Sequence, residues 1–438
     1  MAQFFQPKKT QLNTKHQQVL VEKLDHYGAG IGYLSGKPVF IEGALPDEKV
    51  VVQLTESKKK FARANLIKVL TPSPKRVQPF CRYYSECGGC NMQHLEHSAQ
   101  LEYKQSSLSH LMKVASGQSI PLQPAVVANE KGYRRRTRIS TYYHRKSASL
   151  QFGFRKKSSN QIVNVDHCPV LVPELNTLLP DLKVALQQLK QQDALGHIEL
   201  VKADSGVVLL VRNTKALPEC DITQLTQFAQ QFSLSLFLLP NDGKLVKLLG
   251  DTPSYRETGC EVSFSPDGFI QVNQAINEKM VSQAIQWLDV SEQDRVLDLF
   301  CGVGNFSLAL AKLTSEVVGV EGVPSMVEQA THNAQLNQLN NTDFFHANLE
   351  ESLDSAKWAA KTFDKVLLDP ARAGAGVVIN NIAAMGASRV VYVSCNPATL
   401  ARDSESLYQQ GFRLEKLAML DMFPHTSHLE SMALFVRN

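Results

Sequence analysis

The chain has 438 residues, too many for one ordinary hydrophobic core, so two or three domains are expected. Hydrophobic residues make up 43% and charged residues 20%, which excludes a disordered or fibrous protein. No apolar run approaches the roughly 18 residues of a membrane span, and the start, MAQFFQPKKT, lacks the apolar stretch of a secretory signal. The expectation is a cytoplasmic protein with no membrane partner and no obligate protein partner. A net charge of +4 does not announce a nucleic-acid binder. Basic residues nevertheless cluster at Lys58-Lys59-Lys60, at Arg134-Arg135-Arg136 with Arg138, and at Arg155-Lys156-Lys157. Each run taken alone fits a solvated face as well as a phosphate contact.

From about Gln18 to Val69 the pieces GAGIGYL, KPVFIEGAL, EKVVVQLTES and FARANLIKVL alternate with period two between glycine turns. That pattern predicts a small β-barrel of the oligonucleotide-binding type. TPSPKRVQP (71–79) reads as a linker, followed by a cysteine-rich segment at 81–90 and a helix around 98–114. Tyr133 to about Ser265 is strand-rich, with one helix near 172–191. From Gly268 helix and strand alternate: helix 273–288, strand RVLDLF, helix 305–313, strand EVVGVE, helix 324–338, strand KVLLD, a helix near 377–386, strand RVVYVSC and helix 397–410. Alternation of this kind predicts an α/β, doubly wound parallel sheet. The division expected is 1–74, 75–267 and 268–438.

Asp298-Leu-Phe-Cys-Gly-Val-Gly-Asn-Phe-Ser-Leu joins a buried strand to a helix. Gly302 and Gly304 let the backbone turn sharply and approach a ligand. Ser307 stands where a dinucleotide fingerprint has its third glycine, which argues against a dehydrogenase. Glu321 ends the next strand, where a carboxylate can accept both hydrogens of a ribose diol. These features alone do not separate S-adenosylmethionine from NAD.

Two later strands end in Asp369-Pro-Ala-Arg372-Ala-Gly374 and in Cys395-Asn396-Pro397, at the sheet edge where such folds place active sites. Most free cysteines are small buried hydrophobes. One at a strand end before Asn-Pro is a candidate nucleophile. Carbon 5 of uracil is too weak a nucleophile to take a methyl group unaided. A thiolate adding at carbon 6 makes an enolate, and the carbon 5 proton must later be taken by a base. Glu430, in HTSHLESMALF, is a carboxylate available for that step.

VVYVSCNPATLARD, DPARAG, DLFCGVGNFSL and HLESMALF together resemble, in order and spacing, the RNA uracil-5-methyltransferase family. The resemblance implies a Rossmann-like class I methyltransferase domain with Cys395 as nucleophile and Glu430 as general base. It implies Gln271 (in FIQVN), Phe300, Asn305, Glu321, Asn348 and Asp369 as contacts to S-adenosyl-L-methionine. Many members carry Asp-Pro-Pro-Arg where this chain has Asp369-Pro370-Ala371-Arg372. RNA cytosine-5-methyltransferases, which also add a cysteine to the ring, place a second cysteine where Ala371 stands. A non-catalytic RNA-binding or iron–sulfur scaffold would need neither Cys395 nor Glu430.

Cys81, Cys87 and Cys90 form C-x5-C-x2-C, and Cys168 in DHCPV is a candidate fourth thiolate. Eight cysteines in a reducing compartment point to metal or catalysis. On count alone four thiolates suit zinc or an iron–sulfur cluster equally. The resemblance implies a [4Fe-4S] cluster on these four, within a strand-rich central domain. Cys220, Cys260 and Cys301 read as structural. The N-terminal barrel resembles a TRAM domain, an RNA-binding module, and gives weight to Tyr133 with Arg134, Arg135, Arg136 and Arg138 as RNA contacts. In this family, barrel and cysteine cluster together resemble the branch that modifies a single uridine of 23S ribosomal RNA. Transfer RNA, or another ribosomal site, is the alternative substrate.

Overall fold

The computed structural model describes residues 15–118, 120–351 and 357–437. Residues 1–14, on which the reading of the chain's start rests, lie outside the described residues. Contacts divide the chain into two units, one of Met1–Tyr84, Cys90–Lys104 and His425–His428, the other of Ser85–Gly89, Gln105–Pro424 and Leu429–Asn438.

In the first unit, β1 (Gln17–Leu24), β2 (Gly30–Leu34), β3 (Lys37–Ile41), β4 (Lys49–Ser57) and β5 (Ala62–Thr71) close a barrel in the order β1-β2-β3-β5-β4. Alternation puts Val19, Val21, Val39, Ile41, Val50, Val52, Ala62 and Ala64 inside. Gly32 is required where β1 crosses β2, since a Cβ there would lie 2.2 Å from Val19 Cγ1. Glu48 is wholly buried and accepts the Leu45 N–H at 2.8 Å, the Ser73 N–H at 3.2 Å and Arg76 Nη2 at 2.8 Å. Burial pushes its carboxyl up, but the Arg76 guanidinium and those two amides outweigh burial and leave it below the ordinary value.

The helix α1 (His97–Ser116) precedes the strand-rich part of the second unit. There β6 (Arg136–His144), β7 (Ser149–Arg155), β8 (Ile162–Asn164), β9 (Leu195–Ala203), β10 (Gly206–Asn213), β11 (Leu234–Pro240) and β12 (Val246–Leu249) form one sheet, in the order β12-β11-β10-β9-β6-β7-β8. Helices α2 (Pro173–Gln187) and α3 (Glu219–Gln231) bury leucines and phenylalanine against it, among them Leu179, Leu182, Leu225 and Phe228. Only α2 was expected; α3 carries three Gln in its last five residues, which mute the apolar stripe. A separate hairpin, β13 (Ser254–Glu257) with β14 (Cys260–Ser263), follows.

Then come α4 (Gln274–Leu288), β15 (Arg295–Leu299), α5 (Ser307–Ala311), β16 (Glu316–Glu321), α6 (Pro324–Leu336), β17 (Thr342–His346), β18 (Lys365–Leu368), β19 (Arg389–Ser394), α7 (Pro397–Gln409), β20 (Arg413–Leu420) and β21 (Glu430–Val436). Their sheet runs β17-β16-β15-β18-β19-β21-β20. The first five strands are parallel, as expected, while β21 is antiparallel to both β19 and β20. The helix expected near 377–386 is only a 3-10 turn, Val378–Asn381. Its VVINN run joins β-branched residues to asparagines, which favour non-helical backbone. Among the described residues no helix is long and apolar enough to cross a membrane.

Candidate active site

Strand β15 ends in the glycine turn, where Phe300, Gly302 and Gly304 all adopt positive φ (65°, 57° and 96°). The two glycines reach this region without strain; Phe300 does so at a cost, held by its N–H bond to the Val320 carbonyl at 2.8 Å. Parallel pairing sets Leu299 beside Val320, so Glu321 arrives next to the turn. Its carboxylate accepts the Gly302 N–H at 3.1 Å and the Val323 N–H at 3.0 Å, fixing it at the strand end. Asp298 is wholly buried, with Oδ2 bonded to the Ser307 hydroxyl and Oδ1 without a hydrogen-bond partner among the described residues. An orphaned buried carboxylate oxygen beside a tight glycine turn fits a ligand with a donor or positive charge.

The Asp369 N–H reaches the Leu299 carbonyl at 3.3 Å, which joins the end of β18 to that of β15. Beyond it the loop 370–376 is pinned by α7. Asp403 Oδ2 accepts the Ala375 N–H and the Tyr392 hydroxyl, each at 2.7 Å, and Arg402 Nη2 donates to the Ala373 carbonyl at 2.8 Å. Gly374 adopts a φ of 87°, which favours glycine, and a Cβ there would also lie 2.5 Å from both Arg402 Nη2 and Asp403 Oδ2. Sequence reasoning gives no role to Tyr392, Arg402 or Asp403, although all three lie inside the VVYVSCNPATLARD run.

Cys395 follows β19 directly and precedes Asn396, the N-cap of α7, whose Oδ1 accepts the Ala398 N–H at 3.2 Å. Glu430 begins β21. The ladder ends at the pair Ser394–Ser431; Cys395 comes just beyond it on one strand and Glu430 on the other, near enough for the Glu430 carboxyl to push the Cys395 thiol up. Side chains directly opposite on an antiparallel pair share a face. Asp298, Glu321, Asp369, Cys395 and Glu430 thus stand together at the carboxyl edge of one sheet. Asn348 does not join them by contact: its exposed side chain turns to Glu351 Oε1 at 2.8 Å and to the Glu350 N–H at 3.1 Å. Gln271 and Asn305 are tied instead to a buried polar chain, Gln271 through Arg135 and Asn305 through Asn277.

The electrostatics follow from burial and crowded acids. Burial, helped by Asp369 and Glu321, pushes Asp298 up to about 7, and burial alone pushes Asp369 up to about 7. Burial and then Asp369 hold Glu430 well above the carboxylate range, with Arg372 opposing. Burial, then Glu430 and Asp369, push the Cys395 thiol up to about 11. A site of this kind favours a positively charged guest, and a carboxyl with a raised pKa is a better proton acceptor. Cys260 and Cys301 are buried and Cys220 is exposed.

The arginine cluster is a correction. Arg135 pairs with Glu257, with both side chains 3% exposed, and Tyr133 is buried. Arg136 pairs with Glu199 at 2.6 Å and donates to the Gly268 and Pro266 carbonyls. These three groups are spent inside the fold. Arg138, also paired with Glu199, is 63% exposed. The sequence shows the charges but not Glu199 and Glu257, which only the fold brings to them.

Each unit by itself holds two of the four candidate cluster thiols, Cys81 and Cys90 in the first, Cys87 and Cys168 in the second. Among the described residues no group of three or more His, Cys, Asp or Glu is found that would hold a metal. All four side chains are half-buried, and the Gly89 N–H donates to Cys87 Sγ at 3.4 Å. An amide aimed at sulfur fits a thiolate bound to metal.

Residues 96–438 match the tRNA (Uracil-5-)-methyltransferase family, and residues 11–67 match the TRAM domain. The chain is 58% identical over 438 residues, the whole of both chains, to the 23S rRNA (uracil(1939)-C(5))-methyltransferase RlmD of Vibrio cholerae. It is 54% identical over 441 residues, again the whole of both, to the protein of that name from Aliivibrio fischeri. Among solved structures it resembles the Pyrococcus abyssi tRNA (uracil-54, C5)-methyltransferase in complex with S-adenosyl-L-homocysteine. There the TM-score is 0.77 and the identity 25%, over 96% of this chain and 100% of that one. With the glycine turn, Cys395 and Glu430 gathered at one sheet edge behind a closed N-terminal barrel in the sequence, the chain belongs to the S-adenosylmethionine-dependent RNA uracil-5-methyltransferase family.

Proposed function

We propose that this protein methylates carbon 5 of one uridine of 23S ribosomal RNA, the uridine named 1939 in its relatives, in the cytoplasm. The observation that supports the chemistry is the β19–β21 register, whose last pair, Ser394 with Ser431, adjoins Cys395 on one strand and Glu430 on the other. Cys395 adds as thiolate to carbon 6 of the flipped uracil, and carbon 5 becomes electron-rich. Bound S-adenosyl-L-methionine supplies the methyl group on its sulfonium sulfur. Glu430 takes the carbon 5 proton, and the electrons left behind expel Cys395 as thiolate. Gln271, Phe300, Asn305, Glu321, Asn348 and Asp369 hold the donor. Glu321 suits a ribose diol because its carboxylate is already oriented by two backbone amides. The sulfonium charge finds compensation in Asp298 and Asp369.

Division of labour follows 1–74 for RNA binding, 75–267 for the cysteine site and 268–438 for methyl transfer. On the barrel, exposed Lys58, Lys59 and Lys60 lie in sequence next to Phe61, and Arg63 stands 5.9 Å from the Phe40 ring and 5.8 Å from that of Phe61. Cations beside aromatic rings suit phosphates and unstacked bases. Cys81, Cys87, Cys90 and Cys168 would hold a [4Fe-4S] cluster, which supplies iron–thiolate bonds when bound and takes no part in the addition, methyl transfer or elimination.

Mapping 5-methyluridine in 23S ribosomal and transfer RNA, from cells with and without the protein, tests the substrate. Loss of one 23S site is expected. Loss confined to transfer RNA, the substrate named for the Pyrococcus abyssi structure, would overturn the ribosomal reading.

A further inference from the structure

A buried polar chain, unremarked in the sequence, ends on two of the candidate cofactor residues. Asn277, on α4, is fully buried. Its carboxamide bonds reciprocally with that of Asn305, Nδ2 to Asn305 Oδ1 at 2.9 Å and Asn305 Nδ2 to its own Oδ1 at 3.0 Å. Asn277 Nδ2 also donates to Glu257 Oε2. Glu257, the last residue of β13, is ion-paired to Arg135 Nη1. Arg135 lies 4.5 Å over the Tyr255 ring, and its Nε donates to the Gln271 carbonyl at 2.8 Å.

A carboxamide offers two N–H groups and two lone pairs on oxygen. Asn277 uses both N–H groups within the chain. Among the described residues, half-buried Asn305 has one N–H and one lone pair left over from these bonds, and their placement depends on which way the Asn277 amide faces. A buried ion pair gives little net stability compared with apolar packing, so orientation is the effect that distinguishes this arrangement. We propose that Arg135, Glu257 and Asn277 are positioning residues, which set the Asn305 carboxamide and the Gln271 backbone to receive S-adenosylmethionine. The proposal rests on Asn305 and Gln271 being cofactor contacts.

A double-mutant cycle on the full-length protein, with S-adenosyl-L-homocysteine binding read by calorimetry, tests it. Asn305→Ala and Asn277→Ala should each weaken binding roughly tenfold, the size of one or two hydrogen bonds. The double variant should bind no more weakly than Asn305→Ala, because Asn277 acts through Asn305. Additive losses of affinity, or wild-type affinity in Asn277→Ala, would overturn the positioning role. Wild-type affinity in Asn305→Ala would instead overturn the cofactor reading beneath it. Glu257→Gln serves should Asn277→Ala fail to fold. Its new N–H forces the Asn277 amide, and with it that of Asn305, to turn over, so KM for S-adenosylmethionine should rise several-fold with kcat little changed. An unchanged KM would also overturn the proposal.

Discussion

Cys395 and Glu430 each adjoin the last pair of one β-ladder, Ser394–Ser431, although 34 residues of chain (430 − 395 − 1) separate them. The strand pairing that ends at Ser394–Ser431 brings the proposed nucleophile near the proposed base. A one-residue slip of β21 would turn Glu430 to the other face of the sheet and leave Cys395 without a base.

This relationship separates the two roles. Glu430→Gln should still permit thiolate addition and methyl transfer, but the amide cannot take the carbon 5 proton. A protein–RNA adduct carrying the labelled methyl group should accumulate and survive denaturing electrophoresis, whereas Cys395→Ala should give neither adduct nor product. Methylated RNA released by the glutamine variant at the wild-type rate would assign the proton to another base.

The Cys395 thiol, pushed up to about 11, is mostly protonated at neutral pH in the free enzyme. Its thiolate fraction therefore grows as pH rises. Iodoacetamide labelling of the Cys395 peptide should accelerate about tenfold per unit from pH 7 to 10, as the titration of a single group dictates. S-adenosylmethionine, which adds a positive charge, should raise the rate at fixed pH relative to the uncharged-sulfur product S-adenosylhomocysteine. A rate that levels off near pH 8 would show the thiol to be far more acidic.

Glu48 supports the barrel from within. Glu48→Ala should cost about 3 kcal/mol, because Arg76 and the Leu45 and Ser73 amides lose a buried acceptor. The carboxyl is held below its ordinary value, so its contribution is fully present above the unfolded-state pKa and is lost as pH falls through the folded one. Chemical denaturation should show a wild-type advantage at pH 7 that shrinks below pH 4. A difference independent of pH would point to packing alone.

For the cysteines, anaerobically purified protein should be brown, with iron and acid-labile sulfide in comparable amounts, and Cys168→Ser should lose both. Stoichiometric zinc in colourless protein would replace the cluster with a zinc site.

Much of the methyltransferase part was legible because its signals are local. Gly302 and Gly304 mark a turn, Asp369 and Cys395 end apolar runs, and period sets the strands around them. The antiparallel placement of β21 was not legible, since HLESMALF reads as a strand whichever way it pairs. Nor was the fate of Arg135 and Arg136, because their carboxylate partners lie 122 and 63 residues away. Asn277 is one more polar residue on an amphipathic helix until Asn305 is brought against it.

Strand β21 comes last in chain order yet lies inside its sheet, flanked by β19 and β20. Paired on both sides and buried along its whole length, it should be among the last strands to exchange its amides with solvent. Met432 and Leu434 share one buried cluster with Val296, Phe306 and Leu310, so the strand that carries the proposed base and those that flank the glycine turn should open together. Under denaturant, activity and the uptake of S-adenosylmethionine should therefore be lost in one transition, with no population that binds the cofactor but no longer turns over.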